Sequence, residues 1–354
     1  MGSKNSYLII MAGGSGTRFW PKSVSARPKQ LLSFGESSDG IPVSLLARTL
    51  RRFEDLIPSS NNIIVTTRAL RDAVSQETAS AMILEEPAGR NTAPCIYWAA
   101  RFVAEQAPNA VMLVMPSDHY IAAEDRFCDT VKLAVAWASE HDDLVTLGVR
   151  PSRPETGFGY LRISKNIGSS GCYRVERFIE KPNEMMAKNF LKSGNYLWNG
   201  GMFVWRAEVI LAAFDCFMPE MKKTWEASGG DVDVAYPLLT ATSIDYGVME
   251  KADNVVAFPL DCGWDDLGSW LSLESMADVL GAYNGENVVT NGEVISIESA
   301  QNIIDAPGKL VALLGVKDLI IVQAGEAILV ADKRRAQQIK MLVDEVKKHR
   351  PDLV

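Results

Sequence analysis

The sequence predicts an α/β protein with a mixed central sheet, followed by a small C-terminal β module and a terminal helix. Three observations predict it. Apolar runs alternate with amphipathic helical patterns through the first half of the 354 residues, as in strands covered by helices on both faces. After Pro151 shorter alternating segments appear, the texture of a mixed insertion. From Glu286 to Asp332 no long helical pattern remains, and short strands are separated by turn residues.

The core strands fall at 7–11, 62–66, 81–85, 110–115 and 143–149, with helices at 43–54, 69–76, 92–105 and 127–140. Val111-Met112-Leu113-Val114-Met115 is apolar at every position, which suits a strand buried on both faces. The insertion supplies strands at 159–163, 173–180 and 197–205 and helices at 184–192 and 207–214. The stretch 237–251 reads as a helical turn feeding the last core strand, and 269–280 as a helix. The domain boundary lies near 283–286, giving domains 1–284 and 285–354. In the second domain Asn291-Gly292, Pro307-Gly308, Gly315 and Gly325 punctuate the strands. This pattern suggests a coiled β-solenoid, left-handed β-helix-like, although no strict repeat is present. The stretch 333–348 carries Ile339, Leu342, Val343 and Val346 along one side of a final helix.

Composition narrows the partners. Hydrophobic content is 47%, charged content 23% and net charge −8, so nucleic acid and anionic membrane are not expected partners. An anionic ligand must then be held by local cations. No apolar run reaches the roughly 18 residues of a membrane-spanning helix, and no secretory signal opens the chain. Five cysteines without C-x-x-C spacing read as reduced thiols of a cytoplasmic protein, neither a disulfide frame nor a zinc site. Met1-Gly2-Ser3-Lys4-Asn5-Ser6 fits a myristoylation pattern formally, but reads as a cloning remnant or a plain disordered start.

Four motifs follow core strands, where open parallel sheets bind ligands. The first is Ala12-Gly13-Gly14-Ser15-Gly16-Thr17-Arg18, with Pro28-Lys29-Gln30 beyond it. Glycines let the backbone turn tightly and aim N–H groups at a polyphosphate, whose charge Arg18 and Lys29 would neutralise. The loop lacks the Gly-Lys-Ser/Thr ending of a Walker loop, and Phe19 stands where a dinucleotide fingerprint needs its third glycine. The second is Glu85-Glu86-Pro87-Ala88-Gly89-Arg90-Asn91-Thr92-Ala93-Pro94. A carboxylate here would accept both N–H donors of a guanine edge, which adenine and uracil do not offer. Glu86, or less favourably Glu85, is the candidate base reader. Gly89 would let the base lie close to the backbone, while Asn91 or Thr92 would cap the next helix or touch the nucleotide.

The third motif, Ser117-Asp118-His119, places a carboxylate where a hydrophobic strand meets solvent, a costly position without a partner such as Mg²⁺. The fourth, Trp264-Asp265-Asp266-Leu267-Gly268-Ser269, offers two adjacent carboxylates for a metal, or Asp266 or Ser269 as a cap for the following helix. Between them lie candidates for a sugar ligand: Gly157 in a Thr-Gly-Phe-Gly-Tyr loop, the pair Glu180-Lys181, and Asn199 beside Gly200 and Gly201. They supply backbone clearance, a hydroxyl acceptor beside a phosphate cation, and an amide for hydroxyls. Asp245 would help hold that pocket.

Together these motifs resemble the sugar-1-phosphate nucleotidyltransferases, and within them the mannose-1-phosphate guanylyltransferase branch. The resemblance rests on the glycine loop with its Trp20-Pro21 and Pro28-Lys29-Gln30 spelling, on the E-P-x-G-R-N-T-A-P block at 86–94, and on W-x-D-x-G at 264–268. It spans about residues 7–280, continues more faintly to the C-terminus, and departs at Gly200, where the family more often has serine. The resemblance implies a Rossmann-like nucleotidyltransferase core and the conversion of GTP and α-mannose 1-phosphate to GDP-mannose and pyrophosphate. It also implies Arg18 and Lys29 as catalytic cations and Asp118 and Asp266 as holders of Mg²⁺. Ala12, Gly13, Gly14, Gly16, Thr17, Glu86, Gly89, Asn91, Thr92 and Ser117 would contact nucleotide; Gly157, Glu180, Lys181 and Asn199 would contact the sugar phosphate. A homodimer is expected, through the β module and its amphipathic tail. Rival readings are the same chemistry on another sugar such as glucose or a heptose, a dinucleotide-binding dehydrogenase, and a non-catalytic nucleotide-sugar sensor. A further isomerase domain is not expected, because only about seventy residues follow the core.

Overall fold

The computed structural model describes residues 5–14, 16–36, 42–78, 81–167 and 171–354. Met1 to Lys4 of the myristoylation pattern and Ser15 of the glycine loop lie outside these. The chain packs as two compact units. The first comprises Met1–Gly13, Leu50–Ser117 and Ala123–Trp264; the second comprises Gly14–Thr49, Asp118–Ala122 and Asp265–Val354.

The first unit is built on nine strands: β1 (Ser6–Met11), β2 (Asn62–Thr67), β3 (Met82–Glu86), β4 (Val111–Pro116), β5 (Leu144–Val149), β6 (Tyr160–Ile167), β7 (Cys172–Ile179), β8 (Tyr196–Arg206) and β9 (Val255–Leu260). Their order in the sheet is β3-β2-β1-β4-β8-β5-β9-β7-β6. The first four are mutually parallel, as strand–helix alternation requires. The insertion then adds β8 antiparallel to both β4 and β5, which makes the sheet mixed. The start of β8 also pairs with β6, so β8-β5-β9-β7-β6 close on themselves.

Helices α1 (Arg71–Glu77), α2 (Thr92–Gln106), α3 (Glu124–Glu140), α4 (Glu184–Ser193), α5 (Ala207–Phe217) and α6 (Pro219–Ala227) complete this unit. In α2, Ala93, Ile96, Tyr97, Ala100 and Val103 are buried, the i, i+3, i+4, i+7 spacing of a core-facing stripe. Tyr97 meets Phe214 of α5 edge-on at 5.2 Å. A single turn of π-helix, Asp245–Met249, stands where the sequence predicts a helical turn before the last core strand.

The predicted 43–54 helix is shorter. Pro42–Ser44 is a strand paired with Ser33–Glu36, and the helix covers Leu45–Arg51. Ser44 explains the start, since its Oγ accepts from the Ala47 N–H at 3.1 Å. Helix α7 (Ser272–Leu280) begins three residues later than 269, and no side chain caps it.

The β module contains β10 (Asn287–Ile297), β11 (Ile303–Leu314), β12 (Leu319–Ala324) and β13 (Ala327–Asp332). β10, β11 and β12 are successively parallel, and β13 returns antiparallel. Parallel neighbours joined by a few residues are the coiled arrangement that the turn pattern suggests, because ordinary parallel pairs need a crossover of a dozen residues or more. A buried asparagine ladder holds the coils. Asn302 donates to Asn287 Oδ1 at 2.9 Å, and its own Oδ1 accepts from the Leu319 N–H at 3.0 Å. The terminal helical stretch is 3₁₀ over Lys333–Gln338, then α8 (Ile339–His349). Trp20 and Phe19 share a core with Trp270, Leu273, Ile339 and Val343, and Trp20 Nε1 donates to the Leu353 carbonyl at 2.8 Å.

Candidate active site

In the second unit the glycine loop wraps around Lys29. Gly16 has φ +57°, and a Cβ there would lie 2.2 Å from Lys29 Cβ, so only glycine fits. Gln30 donates to the Gly14 carbonyl at 3.1 Å, and Ser23 Oγ donates to the Gly16 carbonyl at 2.6 Å. Lys29 is buried, at 6% exposure. Its Nζ donates to Asp118 Oδ2 at 2.8 Å and to the Asp266 backbone carbonyl. Exposed Arg18 donates to the Gly268 carbonyl at 2.9 Å.

These groups line one cavity of about 380 Å³, walled by Gly16, Thr17, Arg18, Phe19, Lys29, Asp118, His119, Asp266, Leu267, Gly268 and Lys340. The two catalytic cations and the two metal-binding carboxylates expected from sequence therefore come together. The adjacent acids separate by geometry. Asp265 is buried, accepts from the Leu267 N–H at 2.8 Å and from Ser275 Oγ at 3.1 Å, and so shapes its own loop. Asp266 instead borders the cavity, its Oδ1 accepting from the Gly268 N–H at 3.1 Å. Leu267, next in the chain, has φ +47°, a strained conformation for a bulky residue and one that accumulates at functional sites.

The electrostatics of the two cavity acids differ. Burial pushes the Asp266 carboxyl up to about 6, with Lys29 opposing and the charges of Asp265 and Asp118 reinforcing the rise. Burial also acts on Asp118, but the charge and hydrogen bond of Lys29, with help from His119, carry it below the usual carboxylate range. Among the described residues no group of three or more His, Cys, Asp or Glu forms a metal cage. Two carboxylates with hard oxygen donors and mutual repulsion nonetheless fit a Mg²⁺ site, because Mg²⁺ typically takes one or two carboxylates and completes its shell with water and substrate phosphates.

In the first unit Glu86 is 4% exposed, and Tyr236 donates its hydroxyl to Glu86 Oε1. Oε2 lies 3.1 Å from where a Gly13 Cβ would be, so the bare Gly13 backbone faces the acid. Burial raises the Glu86 pKa, while the Tyr236 hydrogen bond pulls it back. Glu85 is instead half-exposed and paired with Arg71 at 3.0 Å. Asn91, at φ +67°, caps α2 by accepting from the Thr92 N–H at 2.8 Å. Thr92 Oγ1 accepts from the Ile244 N–H at 2.9 Å, and Arg90 donates to the Pro237 carbonyl, which ties this loop to the segment carrying Tyr236. Gly89 is exposed, with open space around its α-carbon. Ala12 is buried and its N–H serves the Val65 carbonyl at 2.8 Å; Ser117 likewise donates to Met11 at 3.1 Å.

The sugar candidates gather in the same unit. A Cβ on Gly159 would lie 2.6 Å from Glu180 Oε2, and the Asn199 N–H donates to the Gly159 carbonyl at 2.8 Å. Asn199 Nδ2 donates to Asp245 Oδ1 at 2.9 Å, and burial raises the Asp245 pKa. Lys181 is well exposed, at φ +43°, with its Nζ 3.6 Å from Glu180. The Gly157 N–H is taken by Glu155 Oε1 at 3.0 Å.

Residues 7–281 match the family model described as nucleotidyl transferase. The chain belongs to that family. Residues 292–346 match a second model, the mannose-phosphate isomerase/GMP-like β-helix domain, which names the coiled module. A mannose-1-phosphate guanylyltransferase of Salmonella montevideo is 37% identical over 359 residues, covering 96% of this chain and 73% of its own. One from Escherichia coli K12 is 34% identical over 367 residues, covering 98% and 74%. A solved structure from Thermus thermophilus, described as a mannose-1-phosphate geranyltransferase, superposes with a TM-score of 0.87 at 32% identity over 97% of this chain and 99% of that one.

Within this nucleotidyl transferase, sequence reasoning missed two polar neighbours. Tyr236 carries no motif of its own, and only its contact with Glu86 singles it out. Lys340 lies in the terminal helix, where a lone lysine on an amphipathic pattern reads as a solvated face.

Proposed function

We propose that this nucleotidyl transferase moves GMP from GTP to α-D-mannose 1-phosphate, giving GDP-mannose and pyrophosphate. The observation that carries the reading is the Lys29–Asp118 pair, set with Arg18 and Asp266 around one cavity. A phosphate oxygen of mannose 1-phosphate attacks the α-phosphorus of GTP in line, the α–β bridging bond breaks, and pyrophosphate leaves. The nucleophile is already an anion, so no general base is required. Arg18 and Lys29 neutralise charge that develops on the transferring phosphoryl group and on the leaving pyrophosphate. Asp118 and Asp266 would hold a divalent cation, Mg²⁺ in this proposal, which when bound neutralises charge at the α-phosphate.

The backbone of Gly13, Gly14, Gly16 and Thr17 would follow the nucleotide, Ala12 and Ser117 would support it at the strand ends, and Glu86 would read the guanine. Gly89, Asn91 and Thr92 would complete the base side. Glu180, Lys181, Asn199 and Gly157 would receive the sugar phosphate, Lys181 taking its charge. Residues 1–284 would form the catalytic domain and 285–354 the accessory module. The names of the relatives support mannose over other sugars. The test is pyrophosphate release across four nucleoside triphosphates and the 1-phosphates of mannose, glucose and galactose, with Mg²⁺. A dominant response at GTP with mannose 1-phosphate is expected; a dominant response elsewhere overturns the substrate assignment.

The protein is further proposed to be a cytoplasmic homodimer. Cys95, Cys128, Cys216 and Cys262 are free thiols, and no helix among the described residues is long and apolar enough to cross a membrane. On the β module, Ile295 and Ile297 of β10 and Leu310 and Leu314 of β11 are each more than half exposed on paired strands, an apolar stripe that a second copy would cover. Ile297→Asp with Leu314→Asp should shift sedimentation from dimer to monomer. A wild-type protein that sediments as a monomer at high concentration overturns the dimer.

A further inference from the structure

The phosphate cavity holds a third cation, and the C-terminal helix supplies it. Lys340 is the second residue of α8 and borders the cavity with Arg18 and Lys29. Its placement is built in. Ile339 and Val343 bury the adjoining side of α8 in the core that contains Phe19 and Trp20, while Asp332 caps the 3₁₀ turn before the helix by accepting from the Arg334 N–H at 2.8 Å. Successive helical side chains are turned by about 100°, so anchoring Ile339 inward fixes where Lys340 emerges.

The neighbouring lysines are already neutralised. Lys22 pairs with buried Asp305 at 2.6 Å, Lys29 with Asp118 at 2.8 Å, and Lys333 with Glu274. Lys340 is exposed and makes no hydrogen bond or ion pair with a described residue. Within the cavity the charges of Asp118 and Asp266 offset two of the three cations. A triphosphate brings about four negative charges, and a cavity that must hold it gains from an uncommitted cation.

We propose that Lys340 binds the terminal phosphates of the nucleoside triphosphate, the portion that departs as pyrophosphate. The inference rests on the nucleotidyl transfer reading, and it gives the C-terminal module a direct part in substrate binding. The side chain of Lys340 is a phosphate contact in this account, with no role in moving protons.

The experiment is calorimetric titration of inorganic tripolyphosphate, with Mg²⁺, into wild-type protein, Lys340→Ala and Lys340→Arg. Alongside it, KM is measured for GTP in the forward direction and for pyrophosphate in the reverse. Alanine should weaken tripolyphosphate binding and raise both KM values about three- to tenfold, more at low than at high salt, and arginine should restore most of the loss. Thermal melting should not move, because Lys340 has no partner to lose. Equal tripolyphosphate affinity in wild type and Lys340→Ala overturns the inference, as does failure of the wild type to bind tripolyphosphate. The probe has neither base nor sugar, so a wrong nucleotide or sugar assignment leaves this result intact.

Discussion

Lys29→Ala should lower kcat/KM for GTP by about 10²–10³-fold, the usual effect of losing one preorganised group that stabilises a transition state. The substitution keeps the Cβ that Gly16 is shaped to accommodate, so the loop survives. The stability cost is about 1–2 kcal/mol. The lost partner, Asp118, is one third exposed and solvent screens its charge, while the Asp266 carbonyl loses one charged donor. A second consequence separates this role from simple damage. Lys29 competes with any cation for Asp118 and holds that carboxylate below its usual range. Without Lys29 the site carries one more uncompensated negative charge, so a divalent cation should bind more tightly as turnover collapses. Mn²⁺ titration of the variant, read beside its steady-state rate, tests both halves. Near-normal turnover removes Lys29 from the chemistry, and weakened Mn²⁺ binding shows that it does not compete for Asp118. Lys29→Arg should not restore the rate, because a planar fork cannot reproduce one ammonium bonded to a carboxylate and a carbonyl.

Much of this site is legible in the chain because local spelling dictates it. A run such as Val111 to Met115 suits a buried strand, and the acid that follows it, Asp118, must then stand at the sheet edge. Gly16 marks a left-handed turn that the structure fills with Lys29, thirteen positions on. What the sequence hides are relationships with no local cause. Ser44 starts a helix that periodicity places earlier, since Val43 suits either a strand or a helix. The coil of the β module shows no strict repeat because its main repeated signal is the buried pair Asn287 and Asn302, fifteen residues apart and indistinguishable in sequence from turn asparagines. Tyr236 and Lys340 matter only through what the fold brings beside them.

Glu86→Gln should reduce the preference for GTP over ATP by about ten- to a hundredfold, the worth of one hydrogen bond to a charged group converted to a ratio. Glutamine keeps an oxygen for the Tyr236 hydroxyl, but its amide sets a donor against the N–H groups of guanine. The fold should not suffer. Glu86 has a folded pKa raised by burial above its unfolded value, so the native state holds the extra proton and wild-type stability falls as pH rises through that raised pKa. The neutral glutamine avoids this penalty. The variant should therefore be at least as stable as wild type at pH 8, and the advantage should vanish as the pH falls toward the ordinary glutamate range. Tyr236→Phe makes the complementary case. Losing the hydroxyl removes the hydrogen bond that holds the Glu86 pKa down, so Glu86 protonates at a higher pH and guanine preference is lost at a higher pH than in wild type. Measuring the GTP/ATP ratio against pH in both variants decides the point. A ratio unchanged in Glu86→Gln moves base reading to the backbone of the loop that follows β3. A Tyr236→Phe profile superimposed on wild type shows that burial alone sets the charge of Glu86.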